Sequence, residues 1–220
     1  MIDFIFPRKC ILCRSNIKSS NYPAWICKNC LKSIEYIEKI YCNRCFSPYE
    51  DKCICQNLYY NIKEIKSCFL YNGQGKELIH KWKYSKIFFI KDFFEKVFIK
   101  HYPYKNLTFD IILFVPIFFI KKIFRGFNQS EILAHSLAKH YSLNLNYNLK
   151  RVKFRKSQVK CKNYSERQGN IKNVFKFRDE NRYKNILLID DIITSGSTVS
   201  EIAKFFPESD IYVYTLSIAR

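Results

Sequence analysis

Ile186-Leu187-Leu188-Ile189-Asp190-Asp191-Ile192-Ile193-Thr194-Ser195-Gly196-Ser197-Thr198 decides how the rest of the chain is read. Four apolar residues in a row predict a strand buried on both faces, as in a parallel sheet. Two adjacent carboxylates stand at its carboxyl end. A short run of hydroxylated residues around one glycine follows, and then Val199, Ile202, Ala203 and Phe206 recur at helical spacing. From such parts α/β sheets build ligand sites beyond the carboxyl ends of their strands.

The chemistry of the loop follows from its residue types. Backbone N–H groups and hydroxyls of Thr194 to Thr198 can converge on one point at the positive end of the next helix, which is how a phosphate is held. Gly196 supplies the backbone freedom for that turn. The carboxylates of Asp190 and Asp191 are acceptors, suited to sugar hydroxyls or a metal-bound water rather than to phosphate. A ligand with a phosphate on one side and a diol on the other matches both halves, and ribose 5-phosphate is one. The bland reading is a strand-turn-helix with an acidic cap, but an ordinary turn does not need this order of hydroxyls.

The stretch resembles the thirteen-residue signature of type I phosphoribosyltransferases. The resemblance implies that Asp190 and Asp191 hold the ribose 2′ and 3′ hydroxyls of phosphoribosyl pyrophosphate. It implies that Thr194, Ser195, Gly196, Ser197 and Thr198 hold the 5′-phosphate, with magnesium accompanying the ligand.

Cysteine spacing sets the other end of the chain. Cys10 and Cys13, Cys27 and Cys30, and Cys42 and Cys45 are C-x-x-C knuckles, and Cys53 and Cys55 form a tighter fourth. Two knuckles supply four thiolates, a tetrahedral zinc site. A redox pair would stand alone, so two structural zinc ions are expected. The preferred pairing is sequential: Cys10, Cys13, Cys27 and Cys30 on one ion, Cys42, Cys45, Cys53 and Cys55 on the other, with a cross-braced pairing left open. A module this small has little core, so metal supplies much of its folding energy. Cys68 and Cys161 remain as buried thiols.

At 220 residues the chain has room for one mid-sized domain and a small one. The expected division is a double zinc ribbon over 1–60 and an α/β domain over 65–220, with the polar, tyrosine-rich Leu58 to Lys66 between them. Cys68 to Tyr71 predicts a short strand, Asn72-Gly73 a turn, and Leu78 to Tyr84 and Ile87 to His101 helices. Asp110 to Pro116 is a second apolar strand, and Ile211 to Ile218 a last one. His80 reads as a helix-surface or packing residue. The opening Met1 to Pro7 is too short an apolar run for a secretory signal. The longest later run, Phe109 to Ile120, is too short to span a bilayer and is broken by Asp110 and Pro116. The expectation is a soluble, cytoplasmic protein without a membrane span.

The formal charge is +19, falling to about +15 if eight thiolates bind two zinc ions. Lys, Ile, Phe, Asn and Tyr are all abundant, so part of the basicity reflects compositional drift, yet a domain this basic attracts nucleic acid. Lys121, Lys122 and Arg125 precede Gly126-Phe127-Asn128-Gln129-Ser130 at the mouth of the predicted sheet. From Lys150 to Lys176 ten basic residues face one acid, Glu166, which reads as a charged, mobile loop.

Four cysteine knuckles, then Tyr71-x-Gly73, Lys83-Tyr84, Arg125-Gly126-Phe127-Asn128-Gln129-Ser130 and the phosphoribosyl signature are together similar to the competence protein F (ComF) family. The match covers nearly the whole chain. It implies a type I phosphoribosyltransferase-like parallel sheet behind an N-terminal Cys-rich zinc-ribbon module. Arg167-x-x-Asn170 with Val174-Phe175 also matches, and in phosphoribosyltransferases a flexible loop there closes over pyrophosphate. The implied role is natural transformation: handling single-stranded DNA, together with competence-machinery proteins. An active transferase and a regulatory protein without catalysis remain as alternatives. No base-reading hood and no general base stand out, so catalytic residues stay unassigned.

Overall fold

The computed structural model describes residues 8–17, 23, 25–85, 87, 89–153 and 174–219. Its first elements are α1 (Lys28–Lys32), β1 (Ile62–Leu70), α2 (Gly73–Tyr84), α3 (Phe89–Lys100) and β2 (Ile111–Phe114). Then come α4 (Phe119–Arg125), α5 (Gln129–Tyr141), β3 (Leu149–Arg151), β4 (Phe175–Phe177), β5 (Asn185–Ile193), α6 (Ser197–Ala203) and β6 (Asp210–Ile218).

The apolar run at Ile186 forms β5 inside a four-stranded sheet of order β1-β6-β5-β2, with every pairing parallel. The two-residue period of a strand divides its side chains between two cores. Leu187 and Ile189 of β5, with Ile112 and Phe114 of β2, face the first; Ile186, Leu188, Ile111 and Leu113 face the second. The first core is closed by α2, α3 and α5 through Leu78, Trp82, Phe94, Phe98, Leu133 and Leu137. Val199, Ile202 and Ala203 of α6 close the second. Each such fully buried side chain contributes roughly 1.5–3 kcal/mol.

The cysteine-rich segment packs on both sides of this sheet. Cys10, Ile26, Cys30 and Ile34 join the first core, and Cys45, Ile54 and Leu58 join the second. Its backbone also runs along the outer side of β1. Ile37 N–H donates to Cys68 O (3.3 Å), Leu70 N–H to Glu35 O (2.9 Å) and Ile65 N–H to Arg44 O (2.7 Å). The Arg44 side chain returns a bond to Ile62 O at 3.0 Å. At the opposite edge, Ile112 of β2 exchanges backbone bonds with Asn144 and Asn146.

Two expectations shift, at Leu58 to Lys66 and after the hydroxyl loop. Leu58 to Lys66, read as a boundary, holds the first half of β1, because Ile62 and Ile65 reach the second core while Lys63 stays exposed. The predicted last strand, β6, lies between β1 and β5 and is buried along most of its length. The helix after the hydroxyl loop stops at Ala203, and Phe206 reaches the same core from the turn beyond it. Of the basic run, Leu149–Arg151 and Phe175–Phe177 pair as an antiparallel ribbon. Arg167, Cys161 and the rest of 154–173 lie outside the described residues. No helix among the described residues is long and apolar enough to cross a membrane.

Candidate functional site

β5 carries Asp190 and Asp191 to its carboxyl end, where α5 and α2 meet them. Ser130, near the start of α5, donates from its hydroxyl to Asp190 Oδ1 at 2.9 Å, and the Asp191 N–H donates to the same oxygen at 2.9 Å. The Ile192 N–H donates to Asp191 Oδ1 at 2.8 Å, and Lys83 Nζ, from the end of α2, stands 2.5 Å from Asp191 Oδ2. Both partners of that ion pair are mostly shielded from solvent.

The run Arg125 to Ser130 explains itself in this geometry. Gly126, at φ +82°, ends α4 in the left-handed conformation that glycine adopts without cost. Asn128 then caps α5: its Oδ1 accepts from the Ser130 N–H at 3.2 Å, and its Nδ2 donates to Val115 O at 3.1 Å, just past β2. The cap thus fixes α5 to the sheet and points Ser130 at Asp190.

Burial first, and then the neighbouring Asp191 carboxylate, push Asp190 up to about 8; the Asp191 N–H, Ser130 and Lys83 oppose the rise. A carboxyl whose folded pKa exceeds its unfolded value holds its proton in the folded state between the two. Its contribution to stability therefore falls as pH rises from about 4 toward 8. Asp190→Asn is expected to remove that fall. Denaturant melts at pH 6 and pH 8.5 should show the variant gaining on the wild type at the higher pH; a gap that does not change with pH would refute this.

Cations surround the acidic pair. Lys121 is held below its ordinary pKa by burial and by Arg125, Arg151 and Lys83, with Asp191 acting the other way. The Arg125 guanidinium donates to the Tyr84 hydroxyl at 2.7 Å and lies 4.8 Å from its ring centre. Lys83, Tyr84, Lys121, Phe124 and Arg125 line a hollow of about 330 Å³, which Lys83 links to Asp191. Lys122 turns instead to Glu131, at 2.8 Å. Of the expected cations, then, Lys121 and Arg125 come to the site, Lys122 points away, and Arg167 is among the residues not described. Lys83, Tyr84 and Ser130 complete the site.

In the hydroxyl loop, Gly196 has φ +76° and caps α6, and the Ser195 and Ser197 hydroxyls lie 2.8 Å apart. The loop rests on the cysteine-rich segment. A Cβ at Gly196 would meet Leu58 Cδ2 at 2.6 Å and Ile54 Cδ1 at 2.9 Å. One turn on, Ser200 Oγ donates to Asn57 O and accepts from the Tyr59 N–H, both at 3.1 Å.

Ile54 lies between two of the eight clustered cysteines. Cys10, Cys13, Cys27 and Cys30 form one group and Cys42, Cys45, Cys53 and Cys55 another, with the four sulfurs of each within 4.8 Å of one another. The grouping is the sequential one, and the tight fourth knuckle takes part. Sulfurs about 2.3 Å from a tetrahedral zinc sit about 3.8 Å apart. Cys13 and Cys27 are 3.6 Å apart, Cys42 and Cys55 3.3 Å, and Cys45 and Cys53 3.7 Å. The Ser15 hydroxyl, 2.9 Å from the Cys13 sulfur, draws that thiol down to about 6, toward the thiolate that binds metal. These are structural zinc sites.

Comparison with known proteins agrees with this arrangement. Residues 1–59 match the family model of the double zinc ribbon domain. Competence protein F of Haemophilus influenzae is 28% identical, over 93% of this chain and 92% of that protein. Competence protein ComFC of Streptococcus pneumoniae is 29% identical, over 96% of this chain and 100% of its own. These matches support a place in the competence protein F family. The DNA utilization protein YhgH of Escherichia coli K12 is 31% identical over 43% of this chain and 42% of its own. The similarity to the two competence proteins thus spans both the ribbon and the sheet.

Proposed function

We propose that this protein serves in natural transformation, as a DNA-uptake factor whose α/β sheet has a phosphoribosyltransferase-type site. Its relatives are named for competence and for DNA utilization, which supports the role. The site takes phosphoribosyl pyrophosphate or a related ribose phosphate with magnesium, and single-stranded DNA binds across the neighbouring cations. One observation carries the ligand reading: Asp190 and Asp191 emerge from a central parallel strand directly into a hydroxyl loop turned by Gly196. Carboxylates for a diol and N–H groups for a phosphate then lie one turn apart.

Asp190→Asn/Asp191→Asn keeps the size of both side chains and replaces their carboxyl groups with amides. Calorimetry with ribose 5-phosphate or the diphosphate and magnesium should show a loss of roughly 1.5–3 kcal/mol per charged hydrogen bond. DNA affinity should stay level or rise slightly, because the variant is more positive. A variant that binds the sugar phosphate as well as the wild type would refute the assignment of the pair. Release of pyrophosphate by the wild type, but not by the variant, in the presence of a nucleobase or nucleic acid would mark a working transferase.

The DNA half is tested by salt. Each phosphate contact of Lys121, Arg125 and the basic run near Lys150 should contribute about 0.7 to the slope of log affinity against log salt. Affinity that does not change between low and moderate salt would refute it.

A further inference from the structure

The short helix α4 follows β2 directly and buries none of its residues. Phe119 is 61% exposed, Ile123 73% and Phe124 80%. Large apolar side chains this open, grouped on one helix, mark a surface that meets something. The same seven residues carry Lys121, Lys122 and Arg125. On a helix Lys121 and Arg125 share a row, and Phe124 stands in the row beside them. Phe124 also borders two hollows. One is the 330 Å³ hollow lined by Lys83; the other, of about 410 Å³, is lined by Trp82, Lys91, Ile123 and Phe127 among others. The Trp82 indole N–H is buried without a partner among the described residues.

We propose that Phe124 makes α4 a base-stacking surface for single-stranded nucleic acid: its ring lies against an unpaired base, while Lys121 and Arg125 in the adjoining row hold the phosphates beside it. The chemistry selects this occupant. Flat apolar rings interleaved with cations match a polyanion that displays flat apolar faces. An apolar protein partner would use the rings and leave the cations unmatched, and a duplex would keep its base faces hidden. This inference rests on the single-stranded DNA reading above and adds the groups that read the bases.

The test separates bases from backbone. Fluorescence anisotropy at fixed salt compares a short dT oligonucleotide with an abasic oligonucleotide of the same length. The wild type should bind dT more tightly. Phe124→Ala should weaken dT binding by about tenfold or more and leave abasic binding and the salt slope unchanged. Phe124→Trp should retain dT affinity, and dT should quench the new indole. Unchanged zinc content and melting temperature will show that the alanine variant is folded, as exposed positions allow. Equal weakening on both oligonucleotides, or wild-type dT binding by the alanine variant, overturns the proposal. So does loss of binding to phosphatidylglycerol vesicles with dT binding intact, which would make α4 a membrane contact. A wild type that binds no dT at all would remove the DNA reading itself.

Discussion

Cys27→Ser protein is expected to carry about half the zinc of the wild type and to be recovered largely insoluble. Cys27 has two roles: its sulfur belongs to the first cluster, and it caps α1 by accepting from the Cys30 N–H at 3.5 Å. Damage will not stay local. Cys10 and Cys30 are buried in the first core, and Trp25 packs on Phe89 and Phe93 of α3 at ring distances of 5.0 and 5.7 Å. Structural zinc contributes on the order of 10–16 kcal/mol to folding in isolated zinc fingers, against a net domain stability of about 5–15 kcal/mol. Losing one ligand therefore endangers the whole chain. Cys68→Ser is the control. Cys68 is more deeply buried than Cys27 but belongs to neither cluster and bonds the Tyr214 hydroxyl at 3.0 Å. That variant should keep its zinc. Elemental analysis and thermal melts decide the matter; a Cys27→Ser protein with wild-type zinc and melting temperature would refute the argument.

Gly196→Ala is expected to abolish sugar-phosphate binding at concentrations that saturate the wild type. Two penalties add. At φ +76° a side chain costs about 1–2 kcal/mol. The new methyl also meets Leu58 at 2.6 Å and Ile54 at 2.9 Å, so loop or ribbon must shift. Leu58→Ala in the same chain makes room and should restore part of the affinity while the φ penalty remains. Rescue from within the cysteine-rich segment would show that it shapes the ligand loop. Calorimetry with ribose 5-phosphate measures both variants. Wild-type binding by Gly196→Ala would sink the idea, and a double variant no better than the single one would confine the effect to the backbone.

Much of this was legible because its signals are local. An unbroken apolar run that ends in two carboxylates and a hydroxyl-rich turn reads as a strand buried on both faces, and paired C-x-x-C knuckles announce their metal. What the sequence hid depends on residues far apart in the chain. Lys83 meets Asp191 and Ser130 meets Asp190 only once β5 lies beside β2 and the two helices have packed. Lys122 looked equivalent to Lys121, yet one step around a helix sends it to Glu131. Nothing in the sequence marks α4: it has no side-chain N-cap and its apolar residues face solvent, so it lacks the buried stripe by which helices are recognised. β1 was read short because its first half carries Lys63, Glu64 and Lys66, whose charges mask the inward Ile62 and Ile65.

The bonds that Glu35, Ile37 and Arg44 make along β1 bear on how the protein fails. An uncovered outer strand offers a row of free N–H and C=O groups to any other chain, and sheets left in that state polymerise. Here that row is occupied by backbone lying between the two cysteine clusters and, at Arg44, within the second. The metal ribbon therefore also guards against self-association. Chelation should yield strand-templated aggregates that bind amyloid dyes rather than a soluble metal-free protein, and dilution before chelation should delay their appearance.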